Sequence, residues 1–265
     1  NELKDYLIKK NIKIILKKIS LKNYVKRSSS ENYLKNFPHV SDITKGFSLG
    51  YRDMCKFFAI DLFNDEELND SDYYVRLDTD SFFLDVNQEF IFMLENIRED
   101  YGYIHNTIQK EDKAVSIGFG NCLYNFCKKN ESLKYNPKEY KVICNEASIN
   151  PKIYYTNFEI IKLKWLKKEL YIKLLEHIVK SRGIYQFRWG DALIRYYSIK
   201  LIGANLLVLK GCLYKHVKVF DSRNLYQRIL SFIYSKIKYK LNNDNFEKNL
   251  SSIDRFFLGL KRNIY

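Results

Sequence analysis

The sequence predicts an α/β fold in which a mainly parallel central sheet carries helices on both faces. Stretches with the period of a strand alternate along the chain with stretches that have the period of a helix, which is the pattern of parallel βαβ units. The 265 residues are 46% hydrophobic and 16% aromatic, which is enough for a sizeable core. Only ten glycines and three prolines are present, too few for a sandwich of many short hairpins.

The first half of the chain begins with a helix that places Leu3, Leu7 and Ile8 on one face, and a short strand follows at I-K-I-I-L. A second helix with a core-facing side begins at Gly50. The aromatic and β-branched run Tyr73–Leu77 then predicts a buried strand. These elements have the order expected of successive units around one sheet.

A helix over residues 86–98 follows, with Phe90, Met93, Leu94 and Ile97 as its buried positions, and Y-G-Y-I-H predicts the next strand. Residues 110–150 show no sustained period. A clear helix comes after N-F-E-I, and we expect it to stop at Gly183. Its apolar line consists of Leu166, Leu170, Leu174 and Ile178.

The last predicted elements of the central region are a helix and a strand. Asp191 is placed to cap the helix, and L-L-V-L has the composition of the strand that precedes Y-K-H. Beyond this strand the sequence predicts amphipathic helices.

The net charge of +14 is concentrated at the two ends of the chain. Residues 1–40 contain ten Lys and Arg against three acids, residues 217–265 contain ten against four, and residues 41–216 are almost neutral. A nucleic-acid-binding protein concentrates its basic residues on the recognition element, so we expect no nucleic-acid partner. The basic ends fit solvated helix faces or, alternatively, peripheral contact with an anionic membrane surface.

The five cysteines contain no C-x-x-C pair, which argues against a zinc site. An odd and sparse set of cysteines fits buried free thiols better than a disulfide framework. No stretch approaches the ~18 apolar residues that a transmembrane helix needs.

The most informative polar feature is the D-T-D sequence of Asp78 and Asp80, which directly follows the strand Tyr73–Leu77. Ligands bind at the carboxyl ends of strands in an open α/β sheet. Two carboxylates at that place could bind Mg²⁺ or Mn²⁺ and, through the metal, a nucleotide diphosphate. D-x-D alone is more commonly a strand-ending turn or a helix cap, so its spacing leaves both interpretations open.

Two further residues have side chains suited to a sugar-phosphate site. His216 follows an apolar strand and could complete a metal site through an imidazole nitrogen, although an isolated histidine is more often a surface or core residue. Glu159 lies between Phe158 and Ile160, so its carboxylate needs either a buried partner or a function. A carboxylate beneath a sugar's anomeric carbon can act as a nucleophile or stabilise positive charge, and the alternative is a structural salt bridge.

The R-W-G-D segment brings an arginine, an aromatic ring and a carboxylate together within four residues: Arg188, Trp189 and Asp191. This combination suits the binding of a sugar or a phosphate. It suits a packed helix start equally well.

The order of these motifs resembles the family-15 glycosyltransferases, the fungal Kre/Mnt-type α-1,2-mannosyltransferases. The similar segments cover about residues 45–216 and are, in order, G-Y-R-D-M-C-K-F-F, D-Y-Y-V-R-L-D-T-D, Y-G-Y, N-F-E-I, R-W-G-D-A and Y-K-H. The resemblance implies a GT-A fold and a metal-dependent hexosyltransferase that retains the anomeric configuration. It also implies Mn²⁺ (or Mg²⁺) as cofactor, GDP-mannose as donor and a glycan as acceptor.

Matching positions assign roles to residues of this chain. The resemblance implies that Asp78 and His216 bind the metal and that Glu159 is the catalytic carboxylate, and the D-x-D spacing adds Asp80 as a further metal ligand. Positions that bind donor or acceptor would lie in the similar segments, and they are Tyr51, Arg52, Arg76, Asn157, Arg188, Trp189 and Asp191.

The chain departs from the family pattern at several positions. Asp-Thr replaces Glu-Pro at 78–79, which shortens the first metal ligand by a methylene. Lys215 replaces the first histidine of the closing pair, Asp53 replaces the histidine after Y-R, and Leu193 stands where the family has proline.

The family's first strand would lie upstream of Asn1. We therefore expect residues 1–216 to form a GT-A-like domain without its first βα unit, and residues 217–265 to form a basic helical extension packed on it. The compartment stays open between the cytoplasm, a membrane surface and, if the chain follows the fungal family, the Golgi lumen. Two alternative functions also stay open, namely a GT-A enzyme that uses a UDP-hexose and a non-catalytic scaffold or surface-binding module.

Overall fold

The computed structural model of the protein describes residues 49–104, 108–130, 133 and 136–216. The opening helix and strand and the C-terminal extension predicted above lie outside these residues, and so does the predicted membrane contact of the basic ends. The described chain divides into two compact units. The helical unit comprises residues 49–70, 109–154 and 167–203, and the sheet unit comprises residues 71–108, 155–166 and 204–216.

The described helices and strands follow one another in a mixed order. The helices are α1 (Leu49–Ala59), α2 (Gln88–Glu95), α3 (Phe119–Lys129), α4 (Pro137–Ile149), α5 (Leu163–Leu166), α6 (Glu169–Lys180), α7 (Gly183–Phe187) and α8 (Asp191–Ile202). The strands are β1 (Tyr73–Leu77), β2 (Ser81–Val86), β3 (Tyr101–Ile104), β4 (Ile108–Lys110), β5 (Lys152–Tyr154), β6 (Phe158–Lys162), β7 (Leu206–Leu209) and β8 (Cys212–His216). Within the described ranges no helix is long and apolar enough to cross a membrane.

The sheet unit contains a four-stranded sheet in the order β1-β6-β3-β7. β6 runs antiparallel to both β1 and β3, and only β3 and β7 are parallel. The prediction of a mainly parallel sheet is therefore wrong for the described strands. The prediction assumed that one crossover helix joins each strand to the next, which makes the two strands parallel. Between β3 and β6 the chain instead runs through β4, α3, α4 and β5, and it re-enters the sheet in the opposite direction.

The core of the sheet unit forms where α2 covers one face of this sheet. Buried apolar side chains of α2 and the strands contact one another there: Phe90, Ile104, Phe158, Ile160 and Leu209. The predicted inward positions Met93, Leu94 and Ile97 pack against this cluster. The helix is shorter than predicted at both ends: it begins after Asn87, whose side chain caps it by accepting a hydrogen bond from the Phe90 N–H at 3.1 Å, and it ends at Glu95.

A second pairing in the sheet unit was not predicted. β2 follows the D-T-D turn directly and pairs antiparallel with β8, so Y-K-H belongs to a strand. Ser81 lies opposite His216 in this pair, and the register shifts between Phe83 and Asp85. The shift interrupts the alternation of apolar and polar residues by which a strand is found in a sequence.

The helical unit packs around α8, whose residues are almost all buried. Leu174 and Ile178 are buried on α6 as predicted, but Leu166 belongs to α5, and Gly183 begins α7 instead of ending α6. The predicted cap of α8 is also wrong, since the N-cap is Gly190 and Asp191 lies in the first turn. A carboxylate in the first turn is stabilised by the helix dipole, which explains the acidic residue at this place without a cap.

Close packing of α3 against α4 depends on Gly120. A Cβ atom at this position would lie 2.0 Å from the Ser148 Oγ and 2.3 Å from the Cys144 carbonyl oxygen. We expect Gly120→Ala to lower the free energy of unfolding by about 1–3 kcal/mol through overpacking. Urea denaturation measures this, with Asn125→Ala on the exposed side of the same helix as the control. Equal stability of the two variants would contradict the close approach.

Burial of Cys55 makes stability depend on alkaline pH. Burial, assisted by the negative charge of Asp191, raises the pKa of the Cys55 thiol to about 12, whereas a free thiol has a pKa of about 8.5. The unfolded chain therefore loses this proton first as the pH rises, and the free energy of unfolding falls above about pH 8.5, by up to about 1.4 kcal/mol per pH unit for this thiol.

Denaturation curves collected between about pH 8 and pH 10.5 test this dependence. We expect the unfolding free energy of Cys55→Ala to fall less steeply with pH than that of the unmodified chain. The comparison of slopes is independent of the constant destabilisation that a smaller side chain causes. Parallel slopes would contradict the shifted pKa.

Candidate active site

The residues predicted from the sequence to form the site fall into two groups, one in each unit. The group in the sheet unit consists of Arg76, Asp78, Asp80, Asn157, Glu159 and His216. The group in the helical unit consists of Tyr51, Arg52, Arg188, Trp189 and Asp191.

The D-T-D sequence forms a tight turn between β1 and β2. The Asp78 N–H donates a hydrogen bond to the Asn157 carbonyl at 2.9 Å, and the Ser81 N–H donates to the Asp78 carbonyl at 2.9 Å. The interpretation of D-T-D as a strand-ending turn is therefore confirmed. The turn also places two carboxylates at the carboxyl end of β1, as the position of the motif predicted.

The Asp78 carboxylate is bound by two side chains of the neighbouring strand ends. Arg76 Nε donates to its Oδ1 at 2.7 Å, and Arg76 also donates to Oδ2 at 3.2 Å through a terminal nitrogen. The Asn157 amide donates to Oδ2 at 2.6 Å. A bidentate guanidinium and an amide thus fix the orientation of this carboxylate.

Asp80 lies against His216, which comes from β8 more than a hundred residues later. The Asp80 Oδ2 is 3.1 Å from the His216 Nε2. The other ring nitrogen, Nδ1, is 3.2 Å from the Tyr155 hydroxyl. The structure thus brings together two of the three side chains that were predicted to bind metal.

Glu159 is 1% exposed and lies on β6 between the two apolar neighbours that predicted its burial. The Tyr101 hydroxyl donates a hydrogen bond to its Oε2 at 3.2 Å. The register of β1 and β6 places Glu159 directly opposite Arg76, so the two side chains lie on the same face of the sheet. The carboxylate is therefore buried among polar partners.

The negative potential of the D-T-D turn reaches two nearby phenols. Burial, followed by the charges of Asp80 and Asp78, raises the pKa of Tyr155. Burial likewise raises the pKa of Tyr214 to about 12, with a contribution from the same carboxylates and an opposing one from its hydrogen bond with Ser81. Both phenols therefore keep their protons at neutral pH.

The donor set of the turn suits a metal ion that is bound in part by a substrate. In the ranges that the structure covers, no three or more His, Cys, Asp and Glu side chains are grouped as a metal site. Asp80 and His216 offer one carboxylate and one imidazole nitrogen. Two protein ligands fit a cation whose remaining positions are taken by diphosphate oxygens and water.

In the helical unit, Arg188 is the centre of the second group. It ends α7 in the left-handed conformation, with φ of 62°, and its guanidinium lies 5.7 Å from the centre of the Tyr51 ring. One of its terminal nitrogens is 3.9 Å from the Glu111 Oε1. Burial raises the pKa of Glu111, and the positive charge of Arg188 opposes this shift.

Arg52 and Trp189 lie in the core of the helical unit. Arg52 is fully buried and donates a hydrogen bond to the Tyr185 carbonyl at 2.8 Å, and burial lowers its pKa. Trp189 is 2% exposed, and its indole N–H donates to the Ile117 carbonyl at 2.9 Å. The burial of Trp189 fits a packed helix start, and the binding role predicted for the R-W-G-D segment stays a prediction.

Sequence reasoning missed Tyr155, Tyr101 and Glu111. The two tyrosines contact His216 and Glu159, partners that lie 61 and 58 residues away along the chain. Tyr101 belongs to the Y-G-Y segment, but nothing in the local sequence gives either tyrosine a role that sets it apart among the 22 tyrosines of the chain. Only the strand order of the sheet unit brings each of them to its partner.

Comparison with known proteins identifies relatives of the chain. The family model described as glycolipid 2-alpha-mannosyltransferase matches residues 8–230. Probable mannosyltransferase KTR2 of Saccharomyces cerevisiae is 26% identical over 185 residues, which are 64% of this chain and 42% of the relative. Glycolipid 2-alpha-mannosyltransferase 1 of Candida albicans is 28% identical over 153 residues, which are 57% of this chain and 35% of the relative. The chain thus spans less than half the length of these curated relatives.

Two solved structures are similar in fold. Core-mannan synthase A (CmsA/Ktr4) of Aspergillus fumigatus, in its Mn/GDP form, gives a TM-score of 0.58 at 20% identity and covers 74% of this chain and 55% of its own. The mannosyltransferase Ktr4p of Saccharomyces cerevisiae in complex with GDP gives a TM-score of 0.60 at 19% identity. The match covers 82% of this chain and 60% of the Ktr4p chain.

These similarities confirm the GT-A fold expected from the motif order, although the described sheet is mixed and mostly antiparallel instead of mainly parallel. The family model extends over well more than half of the chain. The chain belongs to the glycolipid 2-alpha-mannosyltransferase family, glycosyltransferase family 15.

Proposed function

We propose that the chain is a metal-dependent mannosyltransferase that transfers mannose from GDP-mannose to a glycan acceptor, with retention of configuration and formation of an α-1,2 linkage. The observation that carries this proposal is the arrangement at the ends of β1, β6 and β8. There the D-T-D turn contacts Asn157 and His216, and the buried Glu159 lies two residues beyond Asn157.

Asp80 and His216 are the residues that would bind Mn²⁺. An imidazole nitrogen beside a carboxylate favours a transition metal over Mg²⁺. The bound cation would neutralise the charge that develops on the departing diphosphate. The residues supply the two ligands and leave the other positions to the donor.

Asp78 is the third side chain that was predicted to bind metal, and we propose that its main role is to support the turn. Its carboxylate already accepts three hydrogen bonds, two from Arg76 and one from Asn157. Since a carboxylate offers about four acceptor positions, these bonds occupy most of them. We therefore assign the main metal contact to Asp80 and His216. Asp78 fixes the turn that presents Asp80.

Glu159 is the proposed catalytic residue. A buried carboxylate interacts strongly with positive charge because the surrounding dielectric constant is low. The carboxylate would stabilise the oxocarbenium-like transition state at the anomeric carbon or attack it as a nucleophile. Tyr101 orients this side chain through its hydrogen bond, and Arg76 lies opposite Glu159 in the register of β1 and β6.

The relatives support the choice of sugar and nucleotide. Those named above are described as mannosyltransferases, and the two similar structures carry GDP, one of them with Mn. A D-x-D turn by itself selects a diphosphate and is indifferent to the sugar.

Glu159→Gln tests the catalytic assignment. The substitution keeps the shape of the side chain and removes its charge, so we expect mannose transfer from GDP-mannose to a mannoside acceptor to fall by about 10²- to 10³-fold. Transfer of radiolabelled mannose measures the loss. Glu169→Gln, an exposed helix residue that pairs only with Lys173 among the ion pairs described, is the matched control.

Three outcomes would contradict this proposal. Unchanged transfer by Glu159→Gln would exclude the catalytic role. Transfer from a UDP-hexose in preference to GDP-mannose would exclude the mannose donor, and no transfer from any nucleotide sugar would favour a non-catalytic module.

Asp80→Asn and Asp78→Asn separate metal binding from support of the turn. We expect Asp80→Asn to raise the Mn²⁺ concentration for half-maximal binding by about 10- to 100-fold, because a charged ligand is lost. We expect Asp78→Asn to lower the free energy of unfolding by on the order of 1–3 kcal/mol, because Arg76 loses its ionised partner. Calorimetric titration and urea denaturation measure the two effects. Identical behaviour of both variants in both measurements would contradict the division of roles.

A further inference from the structure

Tyr155 contacts the candidate metal ligand His216 on the side opposite to Asp80. Its hydroxyl lies 3.2 Å from the His216 Nδ1, and Asp80 Oδ2 lies 3.1 Å from Nε2. We propose that Tyr155 is a positioning residue that fixes the imidazole of His216, so that Nε2 faces Asp80 and the metal position between them. The inference rests on the proposed function only in that His216 is taken to bind the metal ion.

The imidazole needs such a partner because either of its two nitrogens can carry the proton and because its ring can rotate. A hydrogen bond to one nitrogen decides which nitrogen carries the proton and which way the ring is turned. The Tyr155 ring also packs edge-on against the imidazole, with centroids 5.3 Å apart and an interplanar angle of 80°. The hydrogen bond and the ring contact together leave the imidazole one orientation.

A hydroxyl is suited to this role because it both donates and accepts. With the imidazole proton on Nε2, facing the Asp80 carboxylate, the Tyr155 O–H would donate to Nδ1. With a cation on Nε2, the imidazole proton would lie on Nδ1, and the Tyr155 oxygen would accept from it. One side chain therefore serves both forms of the histidine.

Tyr214 provides a matched control in the same unit. It lies on β8 two residues before His216, and its hydroxyl is hydrogen-bonded to Ser81 Oγ at 2.8 Å. Tyr214→Phe removes a partly buried hydroxyl, as Tyr155→Phe does, but it leaves the His216 hydrogen bonds in place. A general effect of losing a hydroxyl would appear in both variants.

The first test follows His216 in the absence of metal. The ¹⁵N and ¹H resonances of its imidazole are assigned by their loss in His216→Gln. We expect Tyr155→Phe to shift these resonances and to leave the resonances of His177 in place. We expect Tyr214→Phe to leave the resonances of both His216 and His177 unchanged. Unchanged His216 resonances in Tyr155→Phe would overturn the positioning role.

The second test measures Mn²⁺ binding by calorimetry or by the electron paramagnetic resonance of the free ion. We expect Tyr155→Phe to bind Mn²⁺ about 10- to 100-fold more weakly, the range for loss of a hydrogen bond to a ligating histidine, and Tyr214→Phe to bind normally. Equal affinity of Tyr155→Phe and the unmodified chain would overturn the inference. An unmodified chain that binds no Mn²⁺ would overturn the proposed function instead, and the resonance test would still decide the contact with His216.

Discussion

The antiparallel register of β1 and β6 is the constraint on which the candidate site depends. It places Arg76 opposite Glu159 and brings Asp78 to the start of β6, where its N–H bonds to the Asn157 carbonyl. The apolar face fixes this register, because Phe158 and Ile160 must lie under α2. A slip of one residue would turn the Glu159 carboxylate into the apolar cluster and move Phe158 and Ile160 to the face where Glu159 has its polar partner.

The sequence predicted what depends on neighbouring residues. β1 was predicted with its observed bounds, the buried positions of α2 were predicted, and the D-T-D sequence does follow the strand end. Strand direction could not be predicted, because alternating strands and helices leave open where the chain re-enters a sheet. β2 escaped notice because a register shift breaks its alternation.

In the candidate site, too, features set by adjacent residues could be predicted, and contacts between residues distant in the sequence could not. The burial of Glu159 follows from Phe158 and Ile160 beside it, whereas the contact of Asp80 with His216 follows from the β2–β8 pairing. Residue type alone does not separate core from site where both use the same side chains. Arg52 and Trp189 have the chemistry of a sugar-binding site, and both are buried in the helical unit and bond to backbone carbonyls, so their binding role stays a prediction.

The central claim is that Asp80 and His216 together bind the divalent cation that a nucleotide diphosphate needs. The most direct measurement is anomalous scattering at the manganese absorption edge from crystals grown with Mn²⁺ and GDP. The account predicts a single strong anomalous peak within bonding distance of the His216 Nε2 and the Asp80 carboxylate. A peak bound by other side chains, with Asp80 and His216 still paired to each other, would contradict it.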